Sequence, residues 1–268
     1  AITFTQGLNL LLNMFFGPVV NAARGIAVQA QTAIGQFSNN FQTALNPQIT
    51  KSYATGDREY MHSLIFRSAK FSFFLLLFLS LPILIETKAI LTLWLKIVPD
   101  HTVVFLRIML CTTWVYAISN PLITAASATG KIKLYQSVVG GLLLLILPIS
   151  YLCLRLGLPA YSVFIVHLGM EITAQFARLW MLRRMIRLSL REYFTKVIWR
   201  ISKVTIIALA APLAVAYWLP GEGIWNLLTI CLICAISTSM SVYWFGLTSG
   251  EKIYISSRIS SIVSKFRK

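Results

Sequence analysis

Residues Ile65 to Ile85 read IFRSAKFSFFLLLFLSLPILI, and from Phe71 onward this stretch runs for fifteen residues without a charge. At 1.5 Å of rise per residue it reaches about 30 Å, the thickness of a bilayer's hydrocarbon core. It reads as a membrane-spanning helix, kinked near Pro82 because proline lacks the N–H that an α-helix uses.

On either side the pattern repeats. Seven further stretches are apolar enough to read as spans. They are about Ile2 to Phe16, Val19 to about Leu45, Thr102 to Ala125, Leu134 to Leu154 with Pro148 inside, Ser162 to Leu182, Val197 to Leu219, and Ile224 to Phe245. Turn-forming residues separate them: Gly17-Pro18, Ala54-Thr55-Gly56-Asp57, Thr129-Gly130-Lys131, Leu156 to Pro159, and Leu219 to Gly223, with Pro47 expected to end the second stretch. The short run Thr87 to Leu95, with Trp94, is expected to lie in the membrane interface.

Composition agrees. The chain of 268 residues is 57% hydrophobic and 12% charged, whereas soluble domains are about 45–50% apolar and about 25% charged. A water-soluble fold of this size cannot hide so much apolar surface, but a surface facing lipid has no need to. The expected class is therefore an all-α membrane protein of about eight transmembrane helices.

The net charge is +16. No polar, basic domain exists to bind nucleic acid, so topology is the better account. Nineteen of the 24 Lys and Arg residues fall in alternate connections and in the C-terminal tail. That is the positive-inside pattern, and it places both ends of the chain in the cytoplasm, where the cations also attract anionic lipid. Trp94, Trp199, Trp218, Trp225 and Trp244 lie near expected helix ends, as interfacial indoles do. Cys111, Cys153, Cys231 and Cys234 all lie in apolar segments, and Cys231-x-x-Cys234 has no second pair or nearby His to make a zinc site. They read as packing residues. The sequence starts at Ala1 inside an apolar helical pattern, with neither an initiator Met nor a basic leader, so a preceding N-terminal part is expected.

The most informative span is the second. Residues 19–50 read VVNAARGIAVQAQTAIGQFSNNFQTALNPQIT and carry Asn21, Arg24, Gln29, Gln31, Gln36, Asn39, Asn40, Gln42 and Asn46. Polar side chains in hydrocarbon are costly, so they should face other helices or a water-filled cavity. Arg24, Gln31, Gln42 and Asn46 recur at intervals of seven, eleven and four, roughly one helical stripe. Such a stripe can be a cavity wall that hydrogen-bonds a polar substrate, or glue between helices. Gly25, Ala27, Ala30, Ala33 and Gly35 would allow close helix contact. Arg24 falls on the non-cytoplasmic half, where its guanidinium could hold a phosphate bidentately or snorkel to the outer interface. Glu171 lies mid-span, with His167 four residues before it and Gln175 and Arg178 four and seven after. It could relay a proton or sodium ion, or be neutralised by Arg178. Asn120 and Pro121 break the fourth span, and the carbonyl a proline frees can line a cavity. No paired-carboxylate site, nucleophile elbow, phosphate loop or HExxH is present. The three histidines, His62, His101 and His167, are far apart in the sequence. The chain reads as a transporter and not as an enzyme.

The stretch from Gly7 to Asp57, GLNLLLNMFFGPVVNAARGIAVQAQ…FSNNFQTALNPQITKSYATGD, resembles the polysaccharide-flippase branch of the multidrug/oligosaccharidyl-lipid/polysaccharide exporter superfamily, as in lipopolysaccharide and O-antigen biosynthesis. TAASATGKIKLYQ (Thr124 to Gln136) and SVFIVHL (Ser162 to Leu168) fit as well. The resemblance implies a MATE-like fold of two six-helix lobes, often followed by two more helices. Residues 1–186 would be the second lobe, 187–250 the added pair and 251–268 a basic cytoplasmic tail, with the N-terminal lobe absent from this chain. It further implies movement of undecaprenyl-diphosphate-linked oligosaccharide across the inner membrane by alternating access, without a cofactor, with coupling to H+ or Na+ suspected. Arg24 is the position that could meet the diphosphate, with Gln31, Asn39, Gln42 and Asn46 facing sugar or water and Glu171 a coupling candidate without a motif behind it. A cation-coupled multidrug exporter of the same fold is the alternative; it would want more intramembrane carboxylates. A membrane-bound glycosyltransferase or polymerase would need a catalytic carboxylate pair or a large outer loop, and the longest outward connection is only about fifteen residues, Lys88 to His101.

Overall fold

The computed structural model describes residues 2–218 and 223–253, and all the regular structure among them is helical. In order the helices are α1 (Ile2–Ala54), α2 (Arg58–Ile85), α3 (Thr87–Leu95), α4 (Thr102–Ala128), α5 (Ile132–Leu144), α6 (Ile146–Arg155), α7 (Ser162–Met185), α8 (Leu190–Tyr193), α9 (Trp199–Trp218) and α10 (Ile224–Ser241). Wider π turns, Phe194–Ile198 and Val242–Gly246, lead into α9 and out of α10. Six helical stretches are long and apolar enough to cross a membrane. A seventh helix, α7, has 24 residues but carries His167, Glu171, Gln175 and Arg178 along one side.

The first two expected spans are one helical run with a break at Gly17, whose φ of 78° and ψ of −176° suit glycine alone. A Cβ there would touch nothing, so backbone torsion and not space requires the glycine. Pro18 follows, where a missing N–H costs nothing because a helix start leaves it unbonded anyway. Pro47 does not end the helix as expected: α1 continues to Ala54. Pro47 lies on the exposed side, so its ring displaces no packed neighbour, while buried Ile49 and Ser52 hold the last turns to the bundle.

Pro82 sits three residues before the end of α2. Pro148 has a stronger effect. The expected span Leu134 to Leu154 is divided at Leu145 into α5 and α6, because a proline cannot bond the carbonyl four residues back, here Leu144. The segment Thr87 to Leu95 is a separate nine-residue helix, too short to span. The seventh expected span starts earlier, at Leu190, where Ser189 caps the helix by accepting from the Glu192 N–H. Leu219, most of the turn after it, and residues 254–268 of the basic tail lie outside the described residues.

Helices α1, α2, α4 and α7 form the middle of the molecule: α4 packs on all three of the others. Helices α5 and α6 lie against α7, while α9 and α10 pack on each other and against α2. Apolar packing forms two clusters. Leu12, Ala27, Phe105 and Phe164 belong to one, and Met61, Leu77, Leu122, Tyr193 and Val204 to the other. Trp114 touches both clusters, and its indole N–H donates to Ser80 Oγ at 2.8 Å. Many large apolar side chains face outward, among them Trp180, Ile206, Leu228 and Leu232, as a surface in lipid requires.

Candidate functional site

The polar residues of α1 fall into two rows. The inward row meets α4. Gln31 donates to Thr113 Oγ1 at 2.8 Å and to the Met109 carbonyl at 3.2 Å. Asn46 Oδ1 accepts from Thr124 Oγ1 at 3.1 Å. Gln42, only 1% exposed, donates to the Ala117 carbonyl at 2.7 Å and accepts from the Asn120 side chain.

That last contact explains α4. Pro121 lies inside the helix and was expected to break it, yet α4 runs on to Ala128. Proline removes the bond to the carbonyl four residues back, which is Ala117, and Gln42 fills that place. The next carbonyl, Ile118, accepts from the Tyr193 hydroxyl at 3.1 Å. A side chain from α1 thus serves the carbonyl that Pro121 leaves without its donor, as a buried carbonyl in lipid demands, and Tyr193 adds a second bond at the next one.

On α7, Glu171 Oε2 accepts from Arg178 Nη1 at 3.1 Å, two turns away on the same face. Both side chains are buried, and Arg178 is 2% exposed. The same guanidinium nitrogen donates to Ser119 Oγ at 3.1 Å, Ser119 donates to Gln175 Oε1 at 2.6 Å, and Gln175 reaches the Tyr193 hydroxyl at 3.4 Å. A connected polar seam therefore links α7, α4 and the start of the C-terminal helices. Such a network holds a charge in low dielectric only because each neighbour supplies a hydrogen bond.

Beside the seam lies a cavity of about 1010 Å³. Gln31 and Asn39 from α1, Thr113 and Tyr116 from α4, Tyr135 and Gln136 from α5, and His167, Glu171 and Arg178 from α7 line it. Of the residues singled out in the sequence, this brings together Gln31, Asn39 and Glu171. Gln42 and Asn46 are bonded to α4 away from the cavity wall. Arg24 is 6% exposed and donates to the Asn9 side chain, across the Gly17 break. It braces the two runs of α1.

The outward row is different. Gln29, Gln36, Asn40 and Gln48 are exposed, and Gln36 donates to Asn40 Oδ1 at 3.0 Å. The spacing of seven and four puts Gln29, Gln36 and Asn40 on one face, with Gln48 about 80° round from Asn40. The periodicity that separates the two rows is present in the sequence, but nothing local says which row faces the bundle.

Another pair bridges distant segments. Lys70 of α2, 3% exposed, donates to Glu251 Oε2 at 2.6 Å, and the Thr248 N–H reaches the same oxygen at 2.8 Å. Burial works against the Glu251 charge, but the Lys70 ammonium and the Thr248 bonds outweigh it and hold the carboxyl below its ordinary value. Among the described residues no group of three His, Cys, Asp or Glu could hold a metal ion. Cys231 and Cys234 are free thiols.

Compared with protein-family models, with curated proteins and with solved structures, the chain matches none.

Proposed function

We propose that this chain forms one wall of a flippase for lipid-linked oligosaccharide, with the outward amide row of α1 lining the passage. The row itself carries the reading. An amide turned to hydrocarbon without a partner costs about 2–7 kcal/mol; Gln29, Gln36 and Asn40 share one exposed face, and the Gln36–Asn40 bond leaves most of their donors and acceptors open. That face suits water, hydroxyl-rich sugar or another polar helix far better than lipid. The resemblance in Gly7 to Asp57 covers the same helix and supports the same substrate class.

In this reading the passage lies between α1 and a second helical lobe, and substrate moves by alternating access. Counting α1 as two spans across Gly17 and α7 as a span brings the total to eight, with the cation-rich connections on the cytoplasmic side of an inner membrane. Arg24 holds the start of the polar face in place through Asn9, and its burial keeps the guanidinium from the outward face. Glu171 and His167 face the inner cavity, where H+ or Na+ coupling would act. The multidrug-exporter reading is weaker, because the Glu171 carboxylate is paired with Arg178 and so offers a cationic drug little.

Replacing Gln29, Gln36 and Asn40 together by Leu, in a cell that depends on this protein for surface polysaccharide, tests the assignment. Loss of polymer at unchanged protein level is the expected result. A face that lies in lipid would tolerate Leu, so normal export in the triple variant refutes the passage.

A further inference from the structure

A groove of about 810 Å³ runs along the outside of the molecule between α2 and α10. Helix α2 supplies its floor through Phe71, Phe74, Leu75 and Phe78, while Phe41 of α1 and Val242 after α10 close the sides. Below it the π turn packs closely on α2, where Gly246 lets the backbone approach Phe74; a Cβ there would come within 2.7 Å of that ring.

One end of the groove is charged, with Arg67 and Glu251 in its lining. Arg67 stands at the mouth, exposed, and makes no hydrogen bond or ion pair among the described residues. Glu251 lies beside it, but its Oε2 is taken by Lys70 and the Thr248 N–H. Arg200 adds a further positive charge next to Lys70, with its guanidinium on the Gly246 carbonyl at 3.4 Å. Lys70 and the Thr248 N–H thus occupy one oxygen of that carboxylate, while Arg67 and Arg200 act on Lys70 from beside it. From Arg67 to Phe78 the helix rises about 16 Å, which is half of a bilayer's hydrocarbon core of about 30 Å.

We infer that this groove holds one anionic phospholipid of the adjacent leaflet, its acyl chain along Phe71–Phe78 and its phosphate on Arg67. The inference requires only that the chain sits in a bilayer, not that it transports saccharide. Length selects an acyl chain of a single leaflet. The unpaired guanidinium selects a phosphate that carries net negative charge over a zwitterionic headgroup, whose own ammonium cancels the attraction.

The test uses the full chain in nanodiscs of equimolar phosphatidylglycerol and phosphatidylcholine, with retained lipid read by native mass spectrometry. One phosphatidylglycerol per chain is expected, in about fivefold excess over phosphatidylcholine, the ratio one Arg gives near an anionic surface. Arg67→Gln should erase that preference and Arg67→Lys should keep most of it. Leu75→Trp, which fills the groove, should lower retention of both lipids. Lys51→Gln removes an exposed cation elsewhere and should change nothing. The assignment is overturned by equal retention of the two lipids, by a preference that survives Arg67→Gln or disappears with Lys51→Gln, or by undiminished retention in Leu75→Trp. A polyprenyl phosphate found in the groove in place of phospholipid also overturns it.

Discussion

Gln42→Leu should destabilise the helical bundle through Pro121, and a double-mutant cycle isolates that route. In the native protein Gln42 satisfies the Ala117 carbonyl at 2.7 Å and the Asn120 amide. Leucine keeps the volume but strands both groups in a buried site. Stranding a buried polar group costs about 1–3 kcal/mol, while hydrogen bonds between membrane helices average about 0.6 kcal/mol and reach about 1.7. Two such bonds set the expected loss at about 2 kcal/mol. In a Pro121→Ala background residue 121 regains its N–H and can bond Ala117 within the helix. There the leucine should cost about 1 kcal/mol less, leaving only the Asn120 amide without its acceptor. The assay is SDS-induced unfolding in mixed micelles, followed by near-UV circular dichroism, for the wild type, both single variants and the double. Effects that add to within about 0.3 kcal/mol would mean that Gln42 does not serve the carbonyl freed by Pro121, and the account of how α4 passes Pro121 would fail.

Two other perturbations follow from the charged pairs. Arg178→Ala leaves Glu171 buried without its partner and should cost about 3–5 kcal/mol in the same unfolding assay, whereas Glu171→Gln combined with Arg178→Met should recover most of that loss; equal damage from both would deny the pair. For Lys70 and Glu251 the sign is set by a carboxyl held below its ordinary value of 4.5. The stabilisation is complete above that value and is lost as pH falls through the lower folded value. Glu251→Gln at pH 7 should therefore speed amide exchange in Leu247–Ile253, and the wild type should show the same acceleration only below about pH 4.5. Exchange in that segment that ignores both perturbations removes the anchoring role.

The helices were largely legible in the sequence because hydropathy acts locally. Ile65 to Ile85, Thr102 to Ala125 and Ser162 to Leu182 all fall within helices, and the Thr87 to Leu95 run is a helix with those same ends. Where local rules misled, a distant residue was the reason. Pro121 does not stop α4: Gln42, 75 positions before the Ala117 carbonyl, serves it in place of the missing N–H, and Tyr193, 75 positions after the Ile118 carbonyl, adds a bond there. Pro148 divides its stretch into α5 and α6.

The inward stripe of Gln31, Gln42 and Asn46 was countable from its spacing, yet whether it lined a passage or joined helices was not. In water an apolar face must turn inward, so a sequence alone can orient a helix. In lipid, apolar side chains are at home on both sides, and that rule no longer selects a direction. Only the placement of α4 against α1 decided that one amide row is bonded between helices and the other left facing outward. The pairing of Lys70 with Glu251, across 181 residues of chain, was likewise settled by tertiary packing, since nothing near either residue specifies its partner.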